Sequence, residues 1–245
     1  MVKRAVVLLS GGLDSATAAA VAKAQGYELH ALSFDYGQRH RKELASARKV
    51  AKFLNMSEHR ILKLGLSELG GSSLTDRRIP VPRKKGAWRS SRSGPHSAQK
   101  GPGAIPSTYV PARNIIFIAF AAAYAETVDA DAIFIGANAV DFSGYPDCRP
   151  EFLRAFERTL RAGTKRGTEG RPLRLIAPLL RLTKAEIIRR GARLGVPFGL
   201  TWSCYTGGKE PCGECDSCRI RAKGFREAGA ADPLLARSKS KGDAR

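Results

Sequence analysis

Residues 4–9 (RAVVLL) are a short apolar run that stops at Ser10-Gly11-Gly12, and an alanine-rich segment, 15–25, follows and is closed by Gly26. This order of apolar strand, glycine turn and helix constrains the fold more than any other feature. A strand that is apolar at every position is buried on both faces, which places it inside a parallel sheet covered by helices. The alternation then repeats. Residues 27–34 (YELHALSF) read as a strand, 39–54 as a helix with an apolar stripe through Leu44, Ala47, Val50, Ala51 and Leu54, and 59–64 (HRILKL) as a third strand. Further on come a helix at 113–124, apolar nearly all round and so expected to be buried, a strand at 131–136 and an amphipathic helix at 149–161. Residues 173–177 lead to Pro178, and a helix opens at Thr183, whose TKAE has capping-box spacing. Strands alternating with helices imply right-handed crossovers. The expected class is α/β, a doubly wound parallel sheet.

The chain has 245 residues, 43% of them hydrophobic, enough for one large domain with a small appendage. The expected division is a large α/β domain at 1–197, a four-cysteine segment at 198–226 and a basic, disordered tail at 227–245. No apolar run approaches the roughly 18 residues of a membrane span, and the N-terminal apolar stretch is too short for a signal peptide, so a cytoplasmic protein is expected. Net charge is +20, but unevenly placed: residues 77–103 hold eight Lys or Arg and no acid, and residues 219–245 hold eight against three acids. These segments read as a mobile basic loop, about 77–106, and a tail. Direct nucleic-acid contact is not expected from them.

The turn SGGLDS lies where a ligand phosphate can reach it. Gly11 and Gly12 permit close backbone approach, the following helix presents unpaired N–H groups and its positive end, and Ser10 and Ser15 add hydroxyls. Asp14 fits beside a phosphate if Mg²⁺ lies between them, or else it caps the helix. The motif lacks the lysine and spacing of GxxxxGK[ST] and is not GxGxxG.

Cys204, Cys212, Cys215 and Cys218 fall within fifteen residues. Such clustering, without a secretion signal, points to a metal rather than to disulfides. Four thiolates suit tetrahedral Zn²⁺ in a closed, structural site; an iron–sulfur cluster is the rival. Three more stretches sit after strands or before the apolar helix: 35–40 (DYGQRH), 108–114 (TYVPARN) and 138–149 (NAVDFSGYPDCR). In open parallel sheets, ligands bind beyond the C-terminal strand ends. Asp141 and Asp147 can accept N–H bonds from a guanine-like edge or fix a turn. Phe142 and Tyr145 can stack on a flat heterocycle, or Phe142 belongs to the core. Arg113 or Arg149 can hold a carboxylate bidentately, or Arg149 caps a helix. Cys148 reads as a small buried residue.

SGGLDS and PLLRLTKAEI (178–187) resemble elements of the PP-loop ATP pyrophosphatase superfamily, with its adenine nucleotide alpha-hydrolase-like fold. With FDYGQRH, PSTYVPARN, DFSGYPDCR and the WSCY…CGECDSC tail in this order, the chain resembles the 7-cyano-7-deazaguanine synthase family over about residues 3–225. The resemblance implies a C–N bond-forming ligase that adenylates 7-carboxy-7-deazaguanine with ATP, forms the amide with ammonia, and adenylates again to give the nitrile, for queuosine or archaeosine synthesis. It implies ATP contacts by Leu9, Ser10, Gly11, Gly12, Leu13, Asp14, Ser15, Ala16, Thr17, Asp35 and Lys184. The substrate would meet Arg113, Asn114, Asp141, Phe142, Tyr145, Asp147 and Arg149, with Asp14, Arg113 and Asp141 as catalytic residues. One Zn²⁺ per chain on the four cysteines and a homodimer are also implied. His40, Asp35 and Asp141 are the residues considered for accepting protons from ammonia. The rivals are a PP-loop enzyme acting on tRNA and a zinc-dependent nucleic-acid binder.

Overall fold

The computed structural model describes residues 2–82, 105–139 and 144–235. Five parallel strands form one sheet in the order β3-β2-β1-β4-β5, with β1 at Arg4–Leu8, β2 at Glu28–Asp35, β3 at Glu58–Lys63, β4 at Ala132–Phe134 and β5 at Arg174–Ile176. Chain order runs outward from β1 to β3 and then returns to β4 and β5 on the other side. The point of reversal, between β1 and β4, opens a crevice at their C-terminal ends.

Helices α1 (Leu13–Ala24), α2 (Lys42–Phe53), α3 (Leu66–Leu69) and α4 (Arg113–Thr127) come from the first part of the chain. Helices α5 (Pro150–Gly163), α6 (Lys165–Thr168), α7 (Lys184–Arg193) and α8 (Asp216–Ala228) complete the described set. Alternate β1 side chains point to opposite faces. Ala5, Val7 and Leu9 join α1, α2, Ile187, Ile188 and Phe225 in one core, whereas Val6 and Leu8 join Ile118, Tyr124, Leu153 and Leu160 in the other. Thr183 and Glu186 form the expected capping box: Thr183 Oγ1 accepts from the Glu186 amide at 3.3 Å, and Glu186 accepts from the Thr183 amide at 2.8 Å.

Two expectations are corrected. Helix α4 is not buried all round: Ile115 and Phe120 are 41% and 40% exposed, while the buried face runs through Ile118, Ala121, Ala122 and Ala125. The C-terminal stretch from 227 is not free of structure over its first nine residues. Asp232 is clasped by Arg221, whose Nε and Nη2 donate to its two carboxylate oxygens at 2.7 and 2.9 Å, with both side chains nearly buried (6% and 5% exposed). Residues 236–245 and the heart of the basic loop, 83–104, lie outside the described residues.

Arg221 also donates to Thr201 Oγ1 and the Phe198 carbonyl. Removing one partner of a buried ion pair strands the other charge, at a cost of about 3–5 kcal/mol. Arg221→Ala should therefore lower Tm by roughly 10 °C. A double change of Arg221 and Asp232 to apolar residues of similar size should restore most of that loss in a thermal melt.

Candidate active site

The phosphate turn is built by backbone that only glycine can follow. Gly11 has φ of +85°, and a Cβ there would lie 2.1 Å from the Glu43 carbonyl oxygen and 2.6 Å from the Ala47 amide nitrogen. The loop is thus pressed against the first turn of α2. At the end of β4, a Cβ on Gly136 would meet the Ser15 nitrogen at 2.9 Å, so the strand end seats directly on the start of α1.

Helix α1 begins at Leu13, two residues before the alanine-rich segment suggested. Gly12 is its N-cap, with no side chain capping it. Asp14 is therefore not the cap. The first intrahelical bond runs from Ala16 N to Gly12 O at 3.1 Å, which leaves the Leu13, Asp14 and Ser15 amides as unspent donors of the first turn. Around them, the Gly12 amide donates to Ser10 Oγ at 3.2 Å, Ser10 and Ser15 hydroxyls meet at 3.0 Å, and Ser15 Oγ donates to Gly12 O at 3.1 Å. Leu9, Leu13, Ala16 and Thr17 are buried, and Thr17 Oγ1 donates to Leu13 O at 2.9 Å. Their side chains serve packing; of these four, Leu13 still has its amide to offer a ligand.

Asp14 instead faces Lys184, the first residue of α7, from 170 positions away in sequence. The Lys184 ammonium donates to both Asp14 oxygens, each at 2.7 Å. Gly224 of α8 lies against the Lys184 stem, where a Cβ would come 2.5 Å from Lys184 Cγ. The pair sits in a polar cleft of about 90 Å³ lined also by Leu13, Ser203, Tyr205, Ser217, Ile220 and Arg221. A larger cleft, about 260 Å³, lies at the far end of α1 between Val21 and Arg193 and holds no acid, nucleophile or metal-ligand set.

The expected substrate residues divide. The Arg113 guanidinium, partly buried at the start of α4, donates to the Tyr36 hydroxyl at 3.2 Å and lies over its ring at 5.8 Å. Burial opposes its charge, but Tyr36, Tyr145 and Cys148 around it hold its pKa above the ordinary arginine value. Tyr145 shares a 2.8 Å hydrogen bond with Thr108 and stacks with Tyr109 at 6.0 Å. Asp147 is buried and accepts from the Asn114 amide at 2.9 Å, so its carboxylate caps α4; burial raises its pKa. Asn114 is spent on the same contact, its amide side chain donating to Asp147 O and Cys148 Sγ at 3.4 and 3.1 Å. Neither Asp147 nor Asn114 is arranged first of all for a ligand. Arg149 is exposed ahead of α5, which it caps only through its backbone. Asp141 and Phe142 lie outside the described residues.

The proton acceptors considered from sequence fare differently. Asp35 ends β2 and pairs with Arg41 at 3.0 Å. His40 packs against Gly207 and Trp202, and burial lowers its pKa. The group that sequence reasoning missed is Glu43, in the first turn of α2. Among the described residues no hydrogen bond or ion pair engages its carboxylate. Burial pushes its pKa up to about 7, with Arg113 opposing and Cys204 adding to the rise; Tyr36 also feels its charge. In sequence it is one acid in a basic helix, with no motif around it.

A raised carboxylate pKa has a definite sign. The folded state binds the proton more tightly than the unfolded chain, so ionised Glu43 costs stability that grows as pH rises from 4.5 through about 7. Glu43→Gln should stabilise the protein at pH 8 by on the order of 1–3 kcal/mol, allowing for its partial exposure, and by nothing near pH 4. Urea titrations at the two pH values check this.

The four cysteine sulfurs lie within 4.8 Å of one another. That fits a single tetrahedral ion with metal–sulfur distances of about 2.3 Å. Backbone amides of Thr206 and Cys212 approach Cys204 Sγ at 3.5 and 3.4 Å, and that of Cys215 approaches Cys212 Sγ at 3.4 Å. Hydrogen bonds from Cys215 and Cys218 pull the Cys204 thiol well below its usual pKa, while the bond to Cys204, with burial, pushes Cys215 up to about 11 against the opposing contact with Cys218. Four thiols so close can all ionise only around a cation. The segment is fastened to the phosphate turn, with the Trp202 amide donating to Gly11 O at 2.9 Å. It is fastened to α2 as well, where Lys42 lies 4.6 Å over the Trp202 ring and donates to Lys209 O at 2.8 Å.

A family model described as "Queuosine biosynthesis protein QueC" matches residues 4–229. Two curated relatives bear the name 7-cyano-7-deazaguanine synthase. That of Acetivibrio thermocellus is 55% identical over 232 residues, covering 95% of this chain and 97% of the relative. That of an Anaeromyxobacter species is 56% identical over 234 residues, covering 95% and 96%. Among solved structures, NMN synthetase from Francisella tularensis aligns with a TM-score of 0.47 at 18% identity, covering 94% of this chain and 79% of that one.

Proposed function

The chain belongs to the queuosine biosynthesis protein QueC family, and on that premise we propose that it is a ligase converting 7-carboxy-7-deazaguanine and ammonia to 7-cyano-7-deazaguanine with ATP. The observation that carries this reading is local. An unspent helix N-terminus, two serine hydroxyls and the Asp14–Lys184 pair meet at the sheet's switch point, in a chain whose relatives bear that name along almost their whole length.

In this reading the Leu13, Asp14 and Ser15 amides, Ser10 and Ser15 hydroxyls and Lys184 hold the ATP phosphates. Asp14 would hold Mg²⁺, which would supply charge neutralisation at the phosphates when bound, and Lys184, now paired with Asp14, would be left to the phosphates. Asp35 lies at the C-terminal end of the neighbouring strand β2. The substrate carboxylate attacks the α-phosphorus and pyrophosphate leaves. Ammonia attacks the acyl carbon and AMP leaves with the carboxylate oxygen. The amide oxygen attacks a second ATP, and loss of the amide protons with AMP leaves the nitrile.

Arg113, held at a partly buried position by Tyr36, orients the acid, Tyr145 offers its ring to the heterocycle, and Arg149 stands at the rim. Asp141 and Phe142 complete the proposed set. Asp147 and Asn114 act by fixing the start of α4 and thereby Arg113. Glu43, with a pKa near 7, is the proton acceptor for the ammonia step. Cys204, Cys212, Cys215 and Cys218 hold Zn²⁺, which would cross-link the segment and leave no open position for chemistry.

Substrate labelled with ¹⁸O in both carboxylate oxygens tests this sequence. Mass spectrometry should find the two labels in two separate AMP molecules. Label in inorganic phosphate, with ADP as coproduct, would sink it.

The exposed apolar face of α4 at Ile115 and Phe120 is the surface proposed for a homodimer. Phe120→Glu should then shift the light-scattering mass from dimer towards monomer. No helix among the described residues is long and apolar enough to cross a membrane, in keeping with a cytoplasmic enzyme.

A further inference from the structure

Cysteine segments of this kind are read as fold-holding cross-links, and the closed four-thiol set supports that much. Its position says more. The Trp202 amide is bonded to the phosphate turn at Gly11 O, at 2.9 Å. A Cβ on Gly12 would lie 3.7 Å from the Trp202 carbonyl, so the backbone just before Cys204 runs along the turn itself. Beyond it, Ser203, Tyr205 and Ser217 line the same cleft as Asp14 and Lys184.

The chemistry of that cleft suits a phosphate group. Leu13 and Asp14 are the first residues of α1, Lys184 is the first residue of α7, and Ser217 is the second residue of α8. Three helices therefore aim their positive ends into one space. Ser203 Oγ already accepts from Arg221 Nη1 at 3.3 Å, so its own proton is left to donate elsewhere. Among the described residues no hydrogen bond engages the Ser217 hydroxyl. The volume, about 90 Å³, is several times the roughly 10–15 Å³ that one water requires, room for a polyatomic anion. Arg221 is committed to Asp232, so an incoming anion relies on the hydroxyls as well as on Lys184.

We propose that the cysteine segment is a working wall of the nucleotide site: Ser203, Tyr205 and Ser217 bind the pyrophosphate half of ATP, and α8 sets Lys184 through the flat surface at Gly224. This rests on the ATP-dependent reaction proposed above. It makes the metal segment a determinant of ATP affinity and pyrophosphate release as well as of stability.

Calorimetric titration of the full-length, metal-loaded protein with inorganic pyrophosphate and with MgATP tests the wall without requiring turnover. Ser217→Ala and Ser203→Ala should each weaken both ligands about tenfold, the effect of losing one hydrogen bond to a charged group. Metal content and KM for the deazaguanine acid should stay unchanged. Gly224→Ala, which displaces the Lys184 stem, should act in the same direction with the metal retained. Unchanged pyrophosphate affinity in the Ser203→Ala, Ser217→Ala double variant, or no pyrophosphate binding by the parent protein, would overturn the proposal. Nitrile formation is scored separately, so its failure would count against the proposed reaction and not against this wall.

Discussion

Gly11→Ala should slow nitrile formation by about 100-fold or more while leaving most of the chain folded. The residue's φ of +85° is one that side chains with a Cβ avoid, and the added carbon would sit 2.1 Å from the Glu43 carbonyl. The left-handed backbone alone costs about 1–2 kcal/mol. The clash cannot be relieved by a side-chain rotation, because both obstructing atoms belong to the backbone of α2. The turn must move, and with it the first-turn amides of α1. A displacement near 1 Å at a reacting group costs on the order of 100-fold in rate. Activity should fall by about that factor or more, MgATP binding should weaken, and far-ultraviolet circular dichroism should change little. A variant with near-normal turnover would show that the turn does not position the phosphates.

The second large effect concerns the metal. Cys215 is fully buried among the other thiols, with Trp202 packed in the same small cluster. Cys215→Ser should empty the site of metal and lower Tm by roughly 10–20 °C, since structural zinc binding is folding free energy and each kcal/mol shifts Tm by about 2–4 °C at this chain length. Because Val81 and Leu234 also rest on this cluster, the loss should loosen both the approach to the basic loop and the last described residues. Metal analysis by mass spectrometry, alongside a thermal melt, distinguishes this from simple loss of a thiol. A serine variant with full metal content and an unchanged melt would contradict the assignment.

The parts of the site legible in the sequence are those written in contiguous residues. SGGLDS sits between a strand and a helix, Thr183–Glu186 forms its capping box, and the cysteine spacing converges on one centre. What escaped depends on contacts far apart in the chain. Lys184 reaches Asp14 across 170 positions, and no local pattern encodes that distance. Asp147 reads in sequence either as a ligand for a heterocycle or as the anchor of a turn, and its carboxylate satisfies the Asn114 amide at the open end of α4. A buried helix start needs an acceptor, and sequence does not say which acid supplies it. Helix α4 looked uniformly apolar, and apolarity alone does not reveal that one side would stay open at Ile115 and Phe120. Glu43 is the sharpest case: an acid among lysines and arginines reads as a solvated position, and only its burial in the folded chain gives it a pKa near 7.

The most direct measurement is the stoichiometry of the whole reaction. The purified, metal-loaded protein is incubated with ATP, Mg²⁺, ammonium and 7-carboxy-7-deazaguanine, and AMP, pyrophosphate and the nitrile are followed by mass. Two AMP and two pyrophosphate for each nitrile formed, with the amide appearing in between, is the predicted result. A folded, metal-loaded protein that yields neither AMP nor nitrile would contradict it.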